Sequence, residues 1–199
     1  EIPAALRLMF GGVMASGAQI VTLNLNDNAI GPVTMPELLP FLQSKSCASL
    51  KVLRLNNCGL GIKGGNMLST VLPCLENLQE LIIGRNRLEV DGIRDIAQSL
   101  LKLNKLEILE LPQNGTREDG IEALVQALGV NPNLKVLNLN DNVLKNKDKQ
   151  LGQAIRGLKN LEVLNFGDCL LKTAGCISIM SAIQHICNSY DTCHIREII

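Results

Sequence analysis

Tryptophan is absent from the 199 residues, tyrosine occurs once and phenylalanine three times. With aromatics at 2%, the chain lacks the stacking platforms that single-stranded nucleic acid and sugars require. Net charge is absent as well. Nineteen Lys and Arg balance nineteen Asp and Glu, so no long-range field draws the chain toward nucleic acid or an anionic membrane surface. No apolar run approaches bilayer length, and direct membrane insertion is not expected. The motifs H-E-x-x-H, G-x-S-x-G and G-x-x-x-x-G-K-[ST] are missing. Gly11-Gly12 and Gly64-Gly65 are not followed by a phosphate-loop lysine. Histidine occurs only twice, and Cys187, Cys193 and His194 form a C-x5-C-H array with no matching second pair for zinc. No cofactor, metal site or self-contained enzyme is expected. Seven cysteines at irregular spacing, an odd number, argue against a secreted disulfide scaffold and for reduced thiols in cytoplasm or nucleus.

What is present is repetition. Leu50-Lys51-Val52-Leu53-Arg54-Leu55-Asn56-Asn57-Cys58-Gly59-Leu60-Gly61 reads L-x-x-L-x-L-x-x-C-x-L-G, the strand-plus-turn signature of a leucine-rich repeat. The ninth repeat position is held by Asn28, Cys58, Asn86, Asn114, Asn142 and Cys169, at spacings of 30, 28, 28, 28 and 27. An apolar pair precedes each: Leu23/Leu25, Leu53/Leu55, Leu81/Ile83, Leu109/Leu111, Leu137/Leu139 and Leu164/Phe166. An inward asparagine offers both donors and an acceptor to backbone groups that leave the strand there, where an unpaired group would cost roughly 1–3 kcal/mol. Cys58 and Cys169 fill the same volume with weaker bonding. Asn114-Gly115-Thr116 has the form of a glycosylation acceptor, but Asn114 stands at this inward position and is read as buried.

Between the strands the apolar period changes to 3.6. Ile121, Leu124, Val125 and Leu128 form one stripe within Glu118–Gly129, with acidic residues opening the helix and Gly129 closing it. Further helices are expected over Met35–Leu42, Gly64–Leu75, Val90–Leu101, Lys147–Leu158 and Thr173–Cys187, and an opening helix over Glu1–Met14. A repeat near 28 has room for a full helix. The predicted fold is therefore an α/β leucine-rich-repeat solenoid, a horseshoe of the ribonuclease-inhibitor type. Parallel strands line its concave face and helices its convex face. Residues 1–199 read as one such domain, about six full repeats with partial ends. Ile195–Ile199 begins a seventh strand, and Ser189, Tyr190 and Asp191 form a longer loop before it. Neither end reads as a solenoid cap, so a piece of a longer chain is expected.

Outward positions of successive repeats should stack into columns, since parallel strands lie about 4.8 Å apart. One column is Asn24, Arg54, Ile82, Glu110, Asn138 and Asn165. The other, at the rim just before the ninth position, is Asp27, Asn57, Arg85, Gln113, Asp141 and Asp168. The second is polar throughout although the core does not demand it. Rigid scaffolds often present binding residues on such loops, and a solvated rim is the bland alternative.

Several stretches go beyond the generic repeat. Glu1-Ile2-Pro3-Ala4-Ala5-Leu6-Arg7-Leu8, Leu25-Asn26-Asp27-Asn28-Ala29-Ile30-Gly31-Pro32, the Leu55–Gly61 turn, Gly84-Arg85-Asn86-Arg87-Leu88-Glu89, Gln113-Asn114-Gly115 with Glu118-Asp119-Gly120-Ile121, and Asp168-Cys169-Leu170-Leu171 resemble the Ran GTPase-activating protein family, in the family's order and across nearly the whole chain. The resemblance implies an activator that is not itself an enzyme. It would bind the small GTPase Ran in its GTP form, with a Ran-binding protein as a possible third component, and speed hydrolysis in trans. That activity supports nucleocytoplasmic transport from the cytoplasm or the nuclear envelope. The family is thought to use no arginine finger. A rim asparagine instead helps order the GTPase's own glutamine, and by motif match it falls on Asn57. Asn26, Asp27, Asn56, Arg85, Arg87 and Gln113 are the accompanying partner-binding candidates. The family's upstream arginine segment and acidic tail are not contained in residues 1–199. The rival reading is a non-catalytic interaction module of the inhibitor or sensor type.

Overall fold

The computed structural model describes residues 2–189 and 193–199. Seven short strands form one sheet in sequence order, every neighbouring pair parallel. They are β1 (Thr22–Asn24), β2 (Val52–Arg54), β3 (Glu80–Ile82), β4 (Ile108–Glu110), β5 (Val136–Asn138), β6 (Val163–Asn165) and β7 (Glu197–Ile198). The register sets Leu23, Leu53, Leu81, Leu109, Leu137, Leu164 and Ile198 side by side. The middle residue of each of the first six strands is buried. Its flanking partners face outward in most strands, as two-residue periodicity requires.

The connections are helices: α1 (Ile2–Ser16), α2 (Gly31–Leu42), α3 (Gly61–Val71), α4 (Glu89–Leu100), α5 (Glu118–Gly129), α6 (Asp148–Ile155) and α7 (Thr173–Ser189). Each packs on the next in chain order. Packed helices need 8–10 Å between axes while paired strands need under 5 Å. The helical layer therefore takes the longer, convex path and the sheet lines the concave face.

Element bounds differ from the expected ones where proline and glycine act. α2 begins at Gly31 rather than Met35, because Pro32 at the first turn needs no N–H partner there. α3 ends at Val71, and Leu72–Cys74 tightens into a 3-10 turn at Pro73, which has no N–H to continue the helix. α6 stops at Ile155, two residues before Gly157, not at Leu158. The expected loop residues Tyr190 and Asp191 lie outside the described residues, as does Glu1. The cysteines also depart from expectation. Cys187 and Cys193 are joined by a disulfide, which occupies both thiols that a zinc reading would need. Cys47, Cys58, Cys74, Cys169 and Cys176 are free.

The core is a stack of leucines, among them Leu50, Leu53, Leu55, Leu60 and Leu68, each fully buried. Burying one such side chain is worth about 1.5–3 kcal/mol. At the N-terminal end Phe10 of α1 stacks on Phe41 of α2 with ring centroids 4.1 Å apart, and Arg7 pairs with Glu37 across the same two helices.

Candidate functional site

The rim column is built by the backbone before any side chain is considered. Beyond each strand the hydrogen-bond ladder continues: the N–H groups of Asp27, Asn57, Arg85, Gln113 and Asp141 donate to Asn56, Gly84, Pro112, Asn140 and Gly167 O, at 2.8–2.9 Å. To reach those carbonyls the backbone turns left-handed. Asp27, Asn57, Arg85, Gln113, Asp141 and Asp168 all have φ between 52° and 60°. This conformation costs an L-residue roughly 1–2 kcal/mol. Asn and Asp tolerate it best, and four of the six are Asn or Asp.

Directly beneath runs the asparagine ladder. Asn86, Asn114 and Asn142 are buried. Each Nδ2 donates back to the preceding coil, at Leu55, Ile83 and Leu111 O respectively. Each Oδ1 accepts from the preceding ladder residue's N–H: Cys58, Asn86 and Asn114 at 2.9, 3.1 and 3.2 Å. Asn114 is fully buried, as the reading of Asn114-Gly115-Thr116 requires. Cys58 and Cys169 perform half of this task, their thiols donating to Leu25 O and Leu139 O at 3.0 Å. Burial pushes the Cys169 thiol up to about 11 and also raises that of Cys58, so both keep the proton they donate. Asn28 departs from the expected inward position. It is exposed, and its Nδ2 donates only within its own turn, to Leu25 O and Asn26 O, because no described coil precedes it.

With the backbone fixed from below, the rim side chains point away from the core. Asn57 is exposed, and its Nδ2 donates to Asp27 Oδ1 at 2.9 Å. Arg85 Nε donates to Gln113 Oε1 at 2.6 Å, and Gln113 Nε2 to Asp141 Oδ2 at 2.8 Å. Asn57, Arg85, Arg87 and Gln113 line an open depression of about 340 Å³. Arg87 is exposed and makes no ion pair among the described residues. Asn26 and Asn56 stand one step inward and are half-buried. Asn26 Oδ1 accepts from the Asn56 N–H at 2.8 Å, so that amide carries part of the coil-to-coil bonding. The structure thus gathers Asn57, Arg85, Arg87 and Gln113 in one depression. It sets Asp27 against Asn57 and leaves Asn26 and Asn56 half-buried outside the depression. Asp141, absent from the expected site, ends the hydrogen-bond chain, and its place in the rim column is the signal that would have found it.

On the concave face, Arg54 Nε and Glu80 Oε1 pair at 2.5 Å, and Asn138 Nδ2 donates to Glu110 Oε2 at 2.9 Å. Arg54 and Glu80 match in charge across strands, whereas Glu110 is hydrogen-bonded by a neutral amide.

A Leucine Rich repeat family model matches residues 130–148, and sequence comparison separates the broader repeat class from nearer kin. Ran GTPase-activating protein 1 of Xenopus laevis is 40% identical over 122 residues, 56% of this chain and 21% of its own length. The Ran GTPase-activating protein of Drosophila melanogaster is 39% identical over 121 residues, again 56% of this chain and 20% of its own length. The chain is similar to Ran GTPase-activating proteins over 56% of its length. It spans about a fifth of the length of those two relatives. The pig ribonuclease inhibitor is 32% identical over 175 residues, covering more of this chain, 86%, at lower identity and 38% of the inhibitor. Leiomodin-1 Actin-Binding Site 2 superposes with a TM-score of 0.61 at 15% identity, covering 77% of this chain and 89% of that one. This last likeness concerns the fold alone.

Proposed function

We propose that this chain is the repeat core of a GTPase activator for Ran, working in trans on the GTP-bound form. The similarity near 40% to Ran GTPase-activating proteins supports the partner class. The observation that carries the mechanism is the exposure of Asn57 on a rim fixed by the ladder below it. An amide there can hold another amide by hydrogen bonding without introducing charge. Asn57 would order the GTPase's glutamine, and that glutamine would position the attacking water. Arg85, Arg87 and Gln113 would receive the GTPase surface beside it. A Ran-binding protein would join the assembly from the GTPase side. The activity would serve nuclear transport from the cytoplasm or the nuclear envelope.

Single-turnover GTP hydrolysis by Ran, with and without the full-length protein, tests this. The expected result is a large acceleration, with Asn57→Ala lowering the maximal rate by about 100-fold or more while binding weakens only a few-fold. Equal losses in rate and binding would favour a second reading: a binding module without catalytic effect. The 86% coverage by ribonuclease inhibitor similarity supports that alternative.

A further inference from the structure

Asn57 is an amide with two chemically opposite ends, and only one of them can face a guest usefully. The neighbour that decides is Asp27, thirty residues earlier and one coil away, whose Oδ1 accepts from Asn57 Nδ2 at 2.9 Å. A carboxylate only accepts, so the amide turned the other way would set its oxygen against the carboxylate and forfeit the bond. Both residues sit on left-handed backbone, at φ 60° and 52°, whose N–H groups are bonded to the next coil. The Cα positions of donor and acceptor are thus fixed by the ladder and not by the pair itself.

We propose that Asp27 is a positioning residue: it polarises the orientation of Asn57 so that Oδ1 is the atom presented to the partner. The partner group that docks on that oxygen must then be a hydrogen-bond donor. Resting on the reading above, that donor is the side-chain NH2 of the GTPase's glutamine. Capturing it through nitrogen leaves the glutamine's own oxygen free to accept from the attacking water. A partner carbonyl oxygen at this point would meet Asn57 Oδ1 and be repelled. Asp27 makes no contact with the nucleotide in this scheme and acts only through Asn57.

Without Asp27 the amide gains a second orientation and further χ1 wells, which dilutes the competent conformer about five-fold. Asp27→Ala is therefore expected to lower the maximal activated hydrolysis rate about five-fold, with the Ran concentration at half-maximal rate changed less than two-fold. Asp27→Asn can still accept from Asn57 Nδ2, but it can also donate to Oδ1. It restores the tether without its polarity and should give an intermediate rate. In the double variant Asp27→Ala/Asn57→Ala the loss should equal that of Asn57→Ala alone. A second readout needs no partner: the Asn57 side-chain NH2 resonances in the free protein should show one hydrogen-bonded, slowly exchanging proton that is lost in Asp27→Ala.

Losses that multiply in the double variant, or NH2 resonances unchanged by Asp27→Ala, would overturn the proposal. An Asn57→Ala protein that activates normally would instead remove the functional reading of the site. The NH2 resonances would then still decide the tether.

Discussion

At the scale of single residues the ninth repeat position is the most heavily used. Asn114 makes four hydrogen bonds: it donates to Ile83 and Leu111 O and accepts from the Asn86 and Leu88 N–H groups. Asn114→Ala should cost roughly 3 kcal/mol, read from urea unfolding, since it strands the buried Asn86 and Leu88 N–H groups of the preceding coil. Two buried cysteines, Cys169 at this position and Cys47 in the 3-10 turn after α2, add a pH dependence. Burial pushes the Cys47 and Cys169 thiols up to about 11, whereas an unfolded thiol titrates near 8.5. Between those values the folded chain holds more protons than the unfolded one, so stability falls as pH rises. The urea midpoint should be insensitive to these thiols below about pH 8.5 and decline through about pH 10.5. Cys169→Ala should show a shallower decline. An equal decline in the variant would mean that other groups carry it.

At the scale of elements, helix α5 shows which face matters. Ile121, Leu124 and Leu128 are buried while Gln126 is exposed. Leu124→Ala should destabilise by about 3 kcal/mol, while Gln126→Ala should stay within about 0.5 kcal/mol. The bounds of α5 were readable from its acidic start, its stripe and Gly129, and they match those observed. α3 and α6 were not readable to their ends, because apolar spacing runs on through Pro73 and Gly157 while the backbone does not. The Cys187–Cys193 disulfide was invisible for a related reason: pairing depends on how α7 lies against the stretch leading to β7, not on the spacing of the two residues.

At the scale of the molecule each coil touches chiefly its neighbours, and stability is approximately a sum over coils and their interfaces. A lesion should therefore spread locally. In Asn114→Ala, amide exchange is expected to quicken in β3, β4 and β5, with α1 and α2 little changed. Uniform acceleration along the chain would show instead a single cooperative unit. The same arrangement makes the rim rigid, because Asp27, Asn57, Arg85, Gln113 and Asp141 are each held by the coil after them.

The sequence by itself determined the repeat, the fold and the rim column, because a period near 28 residues and a leucine alternation leave one way to bury the apolar face. It also determined that Asn57 is exposed, since the neighbouring Cys58 takes the inward place. Only the tertiary structure decided what each rim side chain does there. Whether Asn57 turns its nitrogen to Asp27, whether Arg85 reaches Gln113, and whether Asn28 is covered all depend on contacts across coils roughly thirty residues apart. The reason is physical: periodicity fixes the direction in which a side chain leaves the backbone, whereas its hydrogen-bond partner is fixed by the neighbour that packing brings alongside.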